Sequence, residues 1–430
     1  MNSKFHDPRE HVRGIHQIFA SDKKRIGFLF GAGTSFATGF GGASVPTIEV
    51  MTQLVVDALK AESPKIKDAI SAIQIETAAA NSTFNVESLL STLETKRSVI
   101  AAGTLNGLNL DDFARLATLT KGHIIKLASI HKTLATQDKS KLAHVRFAKW
   151  ATKARRRFAT EVFTTNYDYL FEIALESLGM PYFDGFSGTY EPFYCPEAVE
   201  DLEAYPQLLK LWKMHGSLGW KYREADRAVV IDKYAETESI LIFPSHLKYS
   251  TSKKQPYVGL IDRLCAFLQQ NDAVLFTCGY SFGDPHINER MITSLRRGAN
   301  SHVIALLYDE TRDAAGTTRY ALEDAANVAR RMATQDTAGK MSVFGLRHAV
   351  IGGQFGEWKL RNEPQKSDSI RVSQYFDEDA ATPNPTPGAH KGDEAWQGTG
   401  RFVLPDFPRM TDFLDDLAST GSSALESTTS

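Results

Sequence analysis

The stretch Val162-Phe-Thr-Thr-Asn-Tyr-Asp-Tyr-Leu-Phe-Glu172 decides the fold. It opens as a short apolar strand, breaks at Thr164-Thr165-Asn166, and resumes with the apolar spacing of a helix from about Tyr167. A buried strand that ends in polar residues and leads into a helix is the repeating unit of an open α/β sheet. In such sheets ligands bind where the strand ends open into a crevice and helix N-termini offer unpaired N–H groups. Asn166 and Asp168 therefore mark a candidate site as well as a fold.

Upstream, Arg25-Ile-Gly-Phe-Leu-Phe30 is a continuous apolar run, the pattern of a strand buried on both faces, and it ends in Gly31-Ala-Gly-Thr-Ser35. Downstream, further strands are read at 208–214, 240–243, 273–279 and 301–308. Helices are read between them at Tyr167–Leu178, Tyr257–Gln270 and Ile287–Arg297. This alternation predicts a parallel sheet with crossover helices. From Pro46 to about Trp150 the pattern is helical, with apolar residues at helix spacing in Val50–Lys60 and Val86–Glu94 and with Pro46 suited to a first turn. Trp220–Asp232 alternates about Glu224-Ala-Asp-Arg227 and reads as a hairpin appended to the sheet.

The fold class expected is thus α/β, a Rossmann-like parallel sheet with a helical insertion and a C-terminal extension. The sheet domain spans residues 1–361 with the insertion at about 46–158, and the extension covers 362–430. Within the extension, Thr382-Pro-Asn-Pro-Thr-Pro-Gly388 and the charged residues after it read as a flexible linker, and the small polar residues from Ser419 onward as a disordered end. Between them, Arg401–Leu417 keeps enough apolar residues to dock, on its own chain or on a partner.

Composition excludes little. The 430 residues are 42% hydrophobic and 23% charged with a formal net charge of −2, so nothing demands a nucleic acid or a membrane as partner. The N-terminal residues lack a basic segment followed by an apolar one, and the chain is read as cytoplasmic. Cys195, Cys265 and Cys278 are too few and too far apart for a disulfide framework or a four-thiolate zinc site.

The glycine turn after the first strand is weak evidence alone. A dinucleotide fingerprint wants a third glycine where Phe36 stands, and no Walker motif occurs. Three other loops strengthen it: Asn166 with Asp168, His215-Gly-Ser217, and Gly279-Tyr-Ser-Phe-Gly-Asp284. If the strands are parallel, all four loops converge on one crevice. Asp284 and His286 read as a helix cap with Pro285 at the first helical position rather than as a metal pair, and the basic cluster 153–158 reads as a solvated helix face.

The ordered set Gly31–Ser35, Thr164–Asp168, Met214–Ser217 and Gly279–Asn288 resembles the sirtuin superfamily. It is more similar still to the bacterial branch of sirtuin-like NAD hydrolases associated with antiphage defence. The resemblance covers about Arg25 to Tyr308. It implies that Gly31, Ala32, Gly33 and Ser35 hold the pyrophosphate of NAD, that Asn166 with Asp168 faces the nicotinamide ribose, that His215 lies beside it, and that Gly279 and Ser281 line the adenosine side. It also implies NAD as the substrate, a homo-oligomer, and a partner such as a HerA-type ATPase; membrane association and direct nucleic-acid binding are not expected. The chain departs from sirtuin deacylases in having no Cys-x-x-Cys, so no zinc is expected, and in carrying Thr165 where deacylases have glutamine. An NAD-dependent deacylase and a non-catalytic NAD or ADP-ribose sensor are the alternatives.

The chemistry can be stated from the residues. Cleaving the ribose–nicotinamide bond develops oxocarbenium character on the sugar and calls for a positioned water or nucleophile on its far face. Asn166 can orient ribose hydroxyls or a water, and His215 is the candidate base. Asp168 either accepts from the nicotinamide carboxamide or caps the helix that follows it.

Overall fold

The computed structural model describes residues 5–41, 44–81, 83–100, 103–153, 156–232, 255–298, 300–312, 318–320, 325–332, 337–378 and 396–426. Seven strands form the frame: β1 (Arg25–Phe30), β2 (Glu161–Thr164), β3 (Tyr182–Phe183), β4 (Leu209–Lys213), β5 (Ala273–Cys278), β6 (His302–Leu306) and β7 (Met341–Phe344). They lie in the order β7-β6-β5-β1-β2-β4-β3, and every pairing among them is parallel. The chain runs from β1 through β2 toward one edge, then returns to the other side of β1 at β5. The topological switch point therefore lies between β1 and β5. Past β7 the sheet continues through His348–Ile351 and Gln354–Trp358, both in antiparallel steps, to Phe5–His6.

The register matters for function. Phe344, Leu306, Cys278, Phe30, Thr164 and Lys213 are direct neighbours in one row across six strands. The loops after β1, β2, β4 and β5 consequently leave the sheet at one level and on one edge. The apolar runs are explained by cover on both faces. Phe28, Phe30 and Phe276 pack under helices Pro8–Ala20, Ala143–Lys153 and Leu170–Ser177, while Leu29, Phe163 and Leu275 pack under Tyr257–Gln269 and Pro285–Arg297.

Several expectations need adjusting. The strand read at 240–243 lies outside the described residues. The insertion is helical, but its first helix is Ile48–Lys60, capped by Thr47, whose side chain accepts from the Val50 N–H; Pro46 stands outside it because the cap fixes the start. The hairpin pairs Trp220–Arg223 with Ala228–Ile231 as read, yet it sits in a separate four-stranded sheet with Phe186–Ser187 and Phe193–Tyr194. The linker read at 382–394 lies outside the described residues, and helix Phe407–Glu426 runs on through residues read as a polar end.

The docking segment closes on its own chain. Phe402 stacks on Trp358 at 4.8 Å, and Phe407 meets Phe30 edge-on at 5.4 Å. His144 is sealed between Phe171 and Phe407, at 4.7 and 4.8 Å between ring centroids. Burial lowers its pKa from 6.5 to about 4. A base held neutral in the fold stabilises it fully above the unfolded pKa, and that stability is lost as pH falls from 6.5 toward 4. Between pH 7 and 4.5 the loss from this one group is on the order of 2 to 3 kcal/mol. His144→Leu is expected to lose that much less stability than the parent over the same range in denaturant titrations; parallel losses would show that His144 does not report on acid unfolding.

Candidate functional site

The site is built on two interlocked turns at the switch point. Gly31 N–H donates to Cys278 O at 3.2 Å and Gly33 N–H to Gly279 O at 2.9 Å. A Cβ on Gly31 would lie 2.5 Å from Gly279 O, one on Gly33 would lie 2.7 Å from Gly279 Cα, and Gly279 itself has φ +64°. The glycines are therefore required by the approach of the β1 and β5 turns to each other. Ala32 opens the short helix Ala32–Phe36 and is exposed, whereas Ser35 points inward and is buried. Ser281 lies exposed on the turn after Gly279.

Asn166, only 7% exposed, ties the β2 loop to the glycine turn. Its Nδ2 lies 3.0 Å from Gly31 O, 3.1 Å from Thr34 Oγ1 and 2.7 Å from Ser35 Oγ. The carbonyl can only accept. Thr34 gives its own proton to Gly31 O at 2.9 Å, and Ser35 gives its proton to Asp168 Oδ2 at 2.5 Å. The amide nitrogen must then be the donor in all three contacts, which fixes the orientation of Asn166 and leaves its Oδ1 as the atom it can present to a ligand.

Asp168 stands one residue before the N-cap, Tyr169, and closes the turn into the helix. Its Oδ1 accepts from the Leu170 N–H at 3.0 Å, at the start of helix Leu170–Ser177, and its Oδ2 accepts from Ser35. Both oxygens are engaged by the protein, so Asp168 belongs to the frame that holds Asn166. Beneath the same turn lies Lys213, the last residue of β4 and 3% exposed. Its ammonium donates to the carbonyls of Tyr167 and Asp168 and to Glu172 Oε1 at 2.8 Å. Burial pushes the Glu172 carboxyl up, with Lys213 opposing the shift. Sequence reasoning passed over this pair; the signal was a lysine on the same strand face as Leu209 and Leu211.

His215, two residues past β4, places Nε2 at 3.1 Å from Asp284 Oδ2, with both side chains buried. Asp284 also caps helix Pro285–Arg297, its Oδ1 accepting from the His286 and Ile287 N–H groups at 3.0 and 3.4 Å. The cap reading was correct and described only one of the two oxygens. The turn is braced by Asn288, which accepts from Tyr280 and donates to Phe282 O.

The helical insertion forms the roof. Leu218, two residues past Gly216, is part of the insertion's own core with Val55, Leu89 and Phe113, and Tyr167 and Tyr169 pack against that core. Tyr167 is the further site residue that the sequence did not single out. Burial pushes its phenol well above the usual range, and the nearby groups Glu87 of the insertion, Tyr257 and Asp284 add to the shift. Among the described residues no group of three or more His, Cys, Asp or Glu side chains could hold a metal ion, and the three cysteines are free thiols.

The fold and site define a doubly wound α/β protein with a buried polar cluster at its switch point, the place where this architecture binds nucleotides. Residues 160–328 match the model of a family described as SIR2-like domain. The matched segment includes Asn166, Asp168, His215 and Asp284, and leaves β1 with its glycine turn outside it. No curated protein matches the chain. Among the described residues no helix is long and apolar enough to cross a membrane.

Proposed function

We propose that the protein is an NAD hydrolase that cleaves the bond between ribose and nicotinamide, adding water and releasing nicotinamide, ADP-ribose and a proton. The observation that carries this reading is the placement of two buried polar groups within the SIR2-like segment, each two residues past the end of neighbouring parallel strands: Asn166, locked to the glycine turn, and His215 against Asp284. The nicotinamide nitrogen is cationic, so the leaving group needs little acid catalysis. What the protein supplies is orientation, a base and exclusion of bulk water. Asn166 presents Oδ1, an acceptor for a ribose hydroxyl or for one proton of the attacking water. His215 takes the other proton as the oxocarbenium-like sugar is captured. Asp168 acts through the frame rather than on the nicotinamide, and the insertion closes the site above Tyr167.

The motif set further supports a role as the NAD-depleting effector of a bacterial antiphage defence system. In that role the protein is cytoplasmic, works as a homo-oligomer, and is restrained until infection by a partner such as a HerA-type ATPase. Incubating the purified chain with NAD is expected to release nicotinamide and ADP-ribose in equal amounts. Nicotinamide release that requires an acylated peptide would replace this reading with deacylation, and tight NAD binding without either product, in any oligomeric state, would replace it with a sensor.

A further inference from the structure

We infer that Tyr257 is a further binding residue of this site, its hydroxyl donating to an oxygen on the nicotinamide riboside half of NAD. The starting point is a hydroxyl that the fold leaves over. Tyr257 is 2% exposed, and among the described residues its Oη has no hydrogen-bond partner. A buried polar group left unpaired costs about 1 to 3 kcal/mol, so native folds keep few of them and each one calls for an explanation. Burial also pushes this phenol well above its usual range, which keeps the O–H intact as a neutral donor.

Topology brings this donor to the site. Helix Tyr257–Gln269 leads directly into β5 at Ala273, so it runs antiparallel to the parallel strands and its first turn lies at their carboxyl ends. The other end of the helix sets the level: a Cβ on Gly27 of β1 would lie 2.6 Å from Phe267 Cζ. From Phe267 back to Tyr257 the helix rises about 15 Å, whereas β1 rises only about 10 Å from Gly27 to its end at Phe30. Tyr257 therefore stands past the strand ends, level with the glycine turn and with the loops that carry Asn166 and His215. It shares one buried cluster with Met214, which precedes His215, and with Tyr280 and Phe282 on the turn after β5. Tyr257 and Asp284 both act electrostatically on the Tyr167 phenol, so these three side chains lie near one another. A neutral donor also suits the ligand. The nicotinamide ring of NAD is cationic and would be repelled by a lysine or arginine here, whereas a phenol can donate to the carboxamide oxygen or to a ribose hydroxyl without adding charge.

Tyr257→Phe removes the oxygen and little else. The assignment rests on NAD being the ligand, so the parent and the variant, both full-length, are titrated calorimetrically with nicotinamide, with ADP-ribose and with NAD, and their unfolding midpoints are taken without ligand. The variant is expected to unfold no earlier than the parent, because an unpaired buried hydroxyl is gone. Its affinity for nicotinamide or for ADP-ribose should weaken by about 3- to 10-fold, the size of one neutral hydrogen bond. A loss confined to nicotinamide assigns the carboxamide oxygen as the acceptor, and one confined to ADP-ribose assigns a ribose hydroxyl. Unchanged affinities overturn the proposal; a lowered midpoint beside them would show a hydroxyl that serves the fold through a water. Loss of both affinities together with a lowered midpoint overturns it as well, since that combination reports altered packing. A parent chain that binds none of the three ligands overturns the NAD reading and the assignment with it, whereas a parent and a variant that bind them equally overturn the assignment alone.

Discussion

Asn166→Ala is expected to lower NAD turnover by at least about 10²- to 10³-fold, the scale seen when a positioned polar group at a reacting centre is removed. The same change should cost about 1 to 3 kcal/mol of stability, because Gly31 O loses a buried donor and the Ser35 hydroxyl loses the amide it accepts from. These two effects must be told apart, and Asn166→Asp does so. It keeps the shape of the side chain but turns an oxygen toward Gly31 O, an atom that can only accept. A buried charge facing a carbonyl costs more than an empty space, so the aspartate variant should be the less stable of the two. Both should be inactive. Nicotinamide release and denaturant midpoints, measured side by side, check this; an alanine variant that turns over NAD at the parent rate would falsify the placement of Asn166 at the reacting centre.

The parallel sheet was legible because its central strands are buried on both faces and so read as unbroken apolar runs. The short edge strands were not. Tyr182–Phe183 has two residues and no periodicity to detect, and the strands at 348–358 mix buried and exposed positions in a pattern that tight turns also produce. Asn166 and His215 could be picked out because each is a polar residue just beyond an apolar run. What spacing could not reveal was the direction of the hydrogen bonds. From sequence the Asn166 amide can offer both donors and an acceptor to ribose hydroxyls or a water; in the structure its nitrogen is directed into Gly31, Thr34 and Ser35. The Asp168 alternatives were equally open in sequence, since capping and ligand binding favour the same residue type at the same place. Lys213 was passed over because a charged residue inside an apolar run is ordinarily an exposed one.

Lys213→Met tests that buried pair, and its expected effect on stability is the largest of any change near the site. Breaking a buried ion pair from one side costs about 3 to 5 kcal/mol, since the remaining charge has lost its partner. Here the residue left behind is Glu172, whose carboxyl burial already pushes above its ordinary 4.5 against the pull of Lys213. Without the lysine the folded-state value rises further. A carboxyl with a raised folded pKa binds its proton more tightly in the fold than in the unfolded chain, so the fold weakens as pH climbs from 4.5 through the folded value. The deficit of Lys213→Met relative to the parent should therefore be smaller near pH 5 than near pH 8, on top of a pH-independent part from the Tyr167 and Asp168 carbonyls that lose their donor. A deficit that does not change with pH would remove Glu172 from the account. Adding Glu172→Leu replaces the pair by apolar groups and is expected to recover most of the lost stability. Turnover should not return with it, because the carbonyls of Tyr167 and Asp168 still lack the ammonium that holds the turn carrying Asn166. Recovery of stability without activity in the double variant separates holding the fold from holding the site, and recovery of both would show that Lys213 serves the fold alone.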